Sequence, residues 1–367
     1  MVTAPDRSVM RWLCAFCCVV VFLILFGGFV RLTRSGLSIV EWEPVTGVVP
    51  PVGHQEWQEA FAEYQESPEF IKVNASMTLE EFRRIFLIEW LHRLVARLAG
   101  FSFLIPLAYF VARKRIPARD LPVYAAMGSL FLLQALAGWL MVASGLQDRP
   151  SVDHLNLTVH LLLAFLLLSL ALWTALDHRF GSCRLRSPAR WSRPSRAAAT
   201  LVALLVAQIT YGGFTAGLKA GYVSNTWPRM FGELVPSALV VSLTDLIDSP
   251  VTVVFIHRWP AFAVLAASLA LVTVVDHRHA DPTIRRGLST LIVVVIAQIL
   301  LGIATVLTSI SVPLALAHQG GATVLFGICI VLLHRLRSAD EERPRQRSDE
   351  TGTRPEVSRE IVGSSAS

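Results

Sequence analysis

The chain has 367 residues, of which 53% are hydrophobic and only 16% charged, with a net charge of +6 and a mean hydropathy of +0.54. Soluble domains carry about 25% charged residues, so a pair of ordinary water-soluble domains is excluded. The basic residues sit in short clusters between apolar blocks, which is no nucleic-acid footprint, and the blocks approach the ~20 residues that a membrane-crossing helix needs: this is an all-α polytopic membrane protein.

Hydropathy predicts eight transmembrane helices, over 11–31, 85–112, 122–143, 155–176, 198–216, 251–275, 287–308 and 313–335. The first runs into Arg31, Thr33 and Arg34 with no small-residue cleavage site, so it reads as a retained span and not a leader. In the long segment after it, Trp57, Phe61 and Tyr64 recur at i, i+4 and i+7. That spacing predicts a short amphipathic helix lying at the membrane surface. Thr78 and Glu81 form a capping-box pattern that starts a helix continuing into the second span.

Basic residues fall in alternate connections: Arg113, Lys114, Arg115 and Arg119; then Arg179, Arg184, Arg186, Arg190, Arg193 and Arg196; then Arg278, Arg285 and Arg286; and finally Arg335 and Arg337. By the positive-inside rule both termini are cytoplasmic, and the acidic first connection faces outward. The expected organisation is a cytoplasmic N-terminus over 1–10, a four-helix bundle over 11–176 with a long outer loop at 32–84, a basic linker over 177–197, a second four-helix bundle over 198–335, and a disordered tail over 336–367. Cys14, Cys17, Cys18 and Cys329 lie in apolar blocks and read as buried small hydrophobes, and Cys183 lies in a basic loop, so no disulfide framework is expected.

An internal repeat links the two bundles. Gly27-Gly28-Phe29 recurs as Gly212-Gly213-Phe214, and Gly36 as Gly221, all 185 residues further on. His92-Arg93 recurs as His257-Arg258, Gln134 and Gly138 as Gln298 and Gly302, and His160 as His318. Four crossings separate the copies, so the halves share one orientation and are related by a pseudo-two-fold axis along the membrane normal.

Four of the ten histidines, His92, His160, His257 and His318, lie in spans near the outer ends of the even-numbered helices. Intramembrane ionisable residues face the bundle interior, and four at similar depth, paired by a repeat, point to metal ligands. Zinc asks for three or four protein ligands, and no cysteine or carboxylate cluster accompanies either pair. Haem iron needs only one or two axial side chains in an apolar pocket, so one haem per bundle, on His92/His160 and on His257/His318, is the economical reading. Arg31, Arg34, Arg93, Lys219 and Arg258 are candidate partners for haem propionates, with snorkelling to the interface as their structural alternative. His178, His277, His279 and His334 sit beside arginines at cytoplasmic ends, where interfacial solvation accounts for them, and His54 and His154 are loop residues.

The repeat is broken at one position. Glu89 lies three residues before His92 on the same helix face, whereas Val254 stands before His257. An i,i+4 salt bridge to Arg93 is the structural reading of Glu89; desolvation raising its pKa for proton transfer is the chemical one. Arg97 is likewise present in the first half alone.

The stretch from Gly27 to Ser38, Trp42-Glu43-Pro44-Val45-Thr46-Gly47, Glu89-Trp90-Leu91-His92-Arg93, Gly138-Trp139, Ser144-Gly145-Leu146, Ala216-Gly217-Leu218, Asn225-Thr226-Trp227-Pro228 and His318-Gln319 together resemble the heme A synthases of proteobacteria and mitochondria, over about residues 11–335. The resemblance implies oxidation of the C8 methyl group of haem O to the formyl group of haem A, by successive hydroxylations and loss of water from a gem-diol. It also implies haem b as cofactor on His257 and His318, with Lys219 and Arg258 nearby. The substrate haem is implied on His92 and His160, with propionates near Arg31, Arg34 and Arg93, and Glu89 is the implied catalytic carboxylate. Pathway logic adds a haem O synthase (the protohaem farnesyltransferase) upstream, cytochrome oxidase assembly downstream, and an electron donor that the sequence does not name. The lipid bilayer surrounds the chain, its homo-oligomeric state stays open, and the farnesyl tail of haem O is expected between lipid-facing helices of the first bundle. A di-haem b-type electron-transfer protein fits the four histidines equally well but has no need of Glu89. A transporter needs broken helices around a midplane site, which the outer position of the polar residues does not suggest.

Overall fold

The computed structural model describes residues 5–42, 47–147, 150–181, 190–239, 242–278 and 280–352, with side chains as far as 342. Glu43 to Thr46 of the Trp42 motif, Cys183, Arg184, Arg186 and His279 lie outside the described residues. The fold is helical, with no named strand among the described residues. Eight spans are long and apolar enough to cross a membrane: α1 (Arg7–Leu32), α4 (Leu79–Ala112), α5 (Leu121–Gly145), α6 (His154–Phe180), α7 (Arg193–Gly217), the pair α9 (Pro250–Arg258) and α10 (Pro260–Val274), α11 (Pro282–Leu307) and α12 (Val312–Gly352). The short helices α2 (His54–Gln65), α3 (Pro68–Lys72) and α8 (Asp245–Asp248) lie in the two long connections at one end of the helices.

Side-chain caps fix where the spans begin. Asp6 accepts hydrogen bonds from the amides of Ser8 and Val9, Asp153 from Leu155 and Asn156, and Asp281 from Thr283 and Ile284. At the start of α4 the capping box of Thr78 and Glu81 is complete. The sixth span departs from the continuous helix expected over 251–275. Pro260 has no N–H to donate and crowds the preceding turn, and the span divides at Trp259 into α9 and α10.

Two expectations at the surface are corrected. The Trp57–Tyr64 stripe of α2 packs on the end of α4, Trp57 against Phe86 and Tyr64 against Phe82 at ring separations of 5.1 Å, so it covers protein and not lipid. The tail from Ser338 does not begin as a disordered segment, because α12 continues to Gly352. Its extension is tied to α7: Asp340 accepts from Ser195 Oγ at 2.6 Å and from Arg337 at 3.1 Å, and the Arg337 guanidinium lies over Trp191.

Packing in the two halves is matched pair by pair. α1 packs on α4 and α6, and α5 on α6; correspondingly α7 packs on α9, α10 and α12, and α11 on α12. The halves meet along α6–α7, α1–α12 and α6–α12, through an apolar core that includes Phe16, Leu168, Leu201, Leu291 and Cys329. Cys17 is buried like Cys329, but Cys14 and Cys18 are exposed on the side of α1, where a bilayer and not a core would cover them. Close approach at the meeting lines depends on glycine. A β-carbon on Gly213 would lie 2.6 Å from Thr158 Oγ1, and one on Gly217 would lie 2.5 Å from His154 Cβ.

Three histidines differ from their expected setting. His334 and His178 are buried, not interfacially solvated: His334 Nε2 pairs with Asp177 at 3.0 Å, and His178 Nε2 with the Tyr124 hydroxyl at 2.8 Å. His154 is the first residue of α6, buried, with Nε2 3.2 Å from Asp248. Their neighbours in sequence are charged, but helix packing turns these particular residues inward.

Overpacking a fitted contact costs roughly 1–3 kcal/mol. Gly217→Ala is therefore expected to lower the melting temperature of the detergent-solubilised protein by several degrees. Gly327→Ala, at a position with nothing within 4 Å of the added carbon, leaves it unchanged, and equal melting of the two variants contradicts the packing argument.

Candidate functional site

His92, His160, His257 and His318 share one environment. Each imidazole lies against the helix of a neighbouring span at a glycine: His92 at Gly27, His160 at Gly138, His257 at Gly212 and His318 at Gly302. A β-carbon there would stand 3.3, 3.1, 3.1 and 2.9 Å from the ring, respectively. One turn before each glycine is a residue whose main chain the same ring approaches: Leu23, Gln134, Gln208 and Gln298. The bond is explicit at His318, whose Nδ1 lies 3.1 Å from Gln298 O; at His160 the approach falls short of a hydrogen bond. The four glycines lie five to seven residues from the long-connection ends of their helices, about 8–10 Å at 1.5 Å per residue, so all four rings share one level.

The residues fit a haem. The His257 and His318 rings are 6.2 Å apart between centroids with perpendicular planes. Metal–imidazole bonds of about 2 Å, with ring centres roughly 1 Å behind the nitrogen, would allow two imidazoles about 6 Å apart to share one metal. An imidazole that donates Nδ1–H to a carbonyl keeps Nε2 for a metal, as His318 does. Among the described residues no group of three or more His, Cys, Asp or Glu side chains is placed to hold a metal ion.

Glu89 is buried beside this level on α4, and both of its oxygens are engaged. Oε2 accepts from Ser38 N at 2.8 Å, Ser38 Oγ at 2.7 Å and Ile39 N at 3.0 Å, and Oε1 accepts from Arg93 at 2.7 and 3.1 Å. The i,i+4 ion pair is therefore present, and it also fastens the turn after α1 to the His92 helix. Arg93 donates further to the carbonyls of Ile39 and Glu41, at 3.0 and 3.2 Å. Arg258 makes the same two bonds to the carbonyls 185 residues further on, Ser224 at 2.7 Å and Thr226 at 3.0 Å. Both arginines are thus loop clamps with most donors committed to protein, which the propionate reading did not anticipate.

The other cations gather where the halves meet. Arg31 donates to Ala216 O, and Arg34 and Lys219 take matching left-handed backbone conformations, with φ of 53° and 54°. Their main-chain amides bond to Arg31 O and Ala216 O, but among the described residues no side-chain hydrogen bond or ion pair holds the Arg34 guanidinium or the Lys219 ammonium, so both side chains keep their donors. Burial and the neighbouring Arg34 and Arg31 push the Lys219 ammonium down, with Glu69 opposing. Glu69 on α3 is itself buried, and burial pushes its carboxyl up to about 7, against the bond from Tyr64 and the nearby Lys219 and Arg34. Sequence reasoning missed Glu69, Ser38, Leu23 and Gln208. Gln208 had a readable signal, since Gln134 and Gln298 bear the same i,i+4 relation to a glycine.

The architecture is that of a polytopic helical membrane protein, and comparison makes the family specific. A family model described as cytochrome oxidase assembly protein (COX15-CtaA) matches residues 10–330, and the chain belongs to that family. Proteins named "Heme A synthase" from Sphingopyxis alaskensis and Maricaulis maris are 39% and 40% identical over 337 and 330 residues, covering 90% and 88% of this chain and 93% and 94% of theirs. One from Wolbachia pipientis is 37% identical over 336 residues and 98% of its own length.

Glu69 generates a pH test. Between its ordinary value of 4.5 and about 7, the folded layer of α2, α3 and α4 holds a proton that the unfolded chain has lost. Stability of that layer therefore falls as pH rises through this window, by up to roughly 3 kcal/mol. Amide exchange in α2 and α3, corrected for intrinsic rates, should accelerate from pH 5 to pH 8 in the native chain and lose that dependence in Glu69→Gln. An equal slope in both refutes the assignment.

Proposed function

We propose that this chain is a heme A synthase, oxidising the C8 methyl group of haem O to the formyl group of haem A. The observation that carries the reading is the asymmetry of the repeat: two histidine pairs at one level, and a buried carboxylate beside only the first. The names and near full-length identity of the relatives support it. In this reading the chain is two tandem four-helix bundles, a division that the matched helix pairings favour. It lies in the inner membrane with both termini in the cytoplasm. Haem O arrives from the farnesyltransferase that makes it, and haem A leaves for cytochrome oxidase assembly.

His257 and His318 hold haem b, and His92 and His160 hold the substrate haem. When bound, haem b supplies one-electron redox chemistry for a methyl-to-formyl change that is a four-electron oxidation. Arg34 and Lys219, whose side-chain donors are free, would receive the propionates, with Arg31 between the halves. Glu89 shares its helix face with His92 and is held by five donors. To move a proton it must first release Ser38 or Arg93, so a fixed negative charge is the role its contacts favour. That charge stabilises positive charge developing at the carbon being oxidised, as preorganised groups do in a site closed to water.

Extraction and mass analysis of haems from membranes that co-produce haem O is expected to yield haem A from the native chain. Haem B with unchanged haem O, from folded and haem-loaded protein, supports the di-haem electron-transfer reading instead. Glu89→Gln should keep haem b yet make about 10²-fold less haem A; near-normal output removes Glu89 from the chemistry. His257→Ala should lose the b-type spectrum, and an unchanged spectrum refutes that ligand assignment.

A further inference from the structure

We infer that Gln208 and Leu23, equivalent positions 185 residues apart, set how firmly each half keeps its haem: Gln208 fixes His257 as a permanent ligand, and Leu23 leaves His92 able to turn and release. The inference rests on the functional reading above, in which one haem stays while the other enters as haem O and leaves as haem A.

In the second half a glutamine amide donates to the main-chain carbonyl of each histidine. Gln208 Nε2 donates to His257 O at 2.6 Å and lies 3.3 Å from His257 Nδ1. Gln298 Nε2 donates to His318 O at 2.8 Å. In the first half the grip weakens stepwise. Gln134 Nε2 makes no bond to the His160 carbonyl and lies instead 3.3 Å from its Nε2, and at His92 the position is taken by Leu23, whose aliphatic side chain has nothing to donate. The His92 ring is also turned differently: Nε2 lies against Gly27, whereas Cε1 lies nearest the glycine at the other three histidines. For Nε2 to serve as a ligand there, the ring must first rotate away from α1. A ligand that must reorganise gives a lower apparent affinity in proportion to its competent fraction, and partners behind a metal-binding histidine are typically worth 10- to 100-fold in metal affinity. The rival role for Gln208 is purely structural, capping a carbonyl beside the helix break at Pro260.

The test uses full-length protein purified from cells that supply haem O: native, Gln208→Leu and Leu23→Gln. Each is mixed with excess apomyoglobin, and the haems lost are identified by extraction and chromatography, with the midpoint potential of the retained haem b measured in parallel. Gln208→Leu should speed loss of haem B about 10-fold or more and shift its potential. Leu23→Gln should slow loss of haem O and haem A, so that product accumulates on the protein. Unchanged transfer rates in both variants overturn the inference, as does equal acceleration of every haem in Gln208→Leu with an unshifted potential, which is the result expected of a mere cap. Native protein that makes no haem A sinks the functional reading instead. The inference is then judged on haem B alone, which should leave in one fast and one slow phase that Gln208→Leu merges; a single phase in the native chain overturns it.

Discussion

An imidazole inside a helical bundle has to reach a hydrogen-bond acceptor, and within a span every main-chain carbonyl is shielded by its own helix's side chains. Glycine removes the shield. At Gly27, Gly138, Gly212 and Gly302 the missing β-carbon lets a ring settle onto the neighbouring helix and approach the main chain one turn back. This contact fixes which helices must be neighbours, how deep the rings lie, and how far apart the members of a pair stand. The repeated architecture can be understood as two copies of a frame that holds such rings level.

A second constraint acts at the ends of the spans. Arg93 and Arg258 each run from the helix that bears a histidine to two carbonyls in the connection after the first helix of the same half. A guanidinium suits this task because its fork presents several donors in fixed directions. The connections are thereby held over the histidine level, where Arg34 and Lys219 present their charges at matching positions. The same level is roofed in the first half by α2 and α3, whose aromatic face is buried on Phe82 and Phe86.

Much of this was legible in the sequence because the signals are periodic or repeated. Eight hydropathy blocks mark the spans, and a repeat in the same order along both halves marks the histidine, glutamine and glycine pairs. The capping box at Thr78 and the stripe of α2 follow from helical spacing. What stayed hidden depends on which way a residue faces after packing. His178 and His334 sit among charges in sequence yet turn inward to Tyr124 and Asp177. The stripe on α2 has the same pattern whether lipid or α4 covers it. The acceptors of Arg93 and Arg258 in the connections are main-chain carbonyls, which leave no trace in side-chain identity. The extension of α12 rests on a contact between Asp340 and Ser195, 145 residues apart.

The comparison of the two arginine clamps bears most directly on Glu89. A carboxylate inside a span is costly unless well paired, and its five donors offset that cost without explaining why the charge is there. If the charge existed to fasten the connection to the histidine helix, the second half would need one too. It does not: Val254 fills the equivalent position, and Arg258 holds Ser224 and Thr226 unaided. The clamp therefore works without a carboxylate, and the fold has a ready apolar solution at that site. A charge retained where the duplicated frame dispenses with it is best explained by the one respect in which the halves must differ, the chemistry performed on the haem that the first half holds.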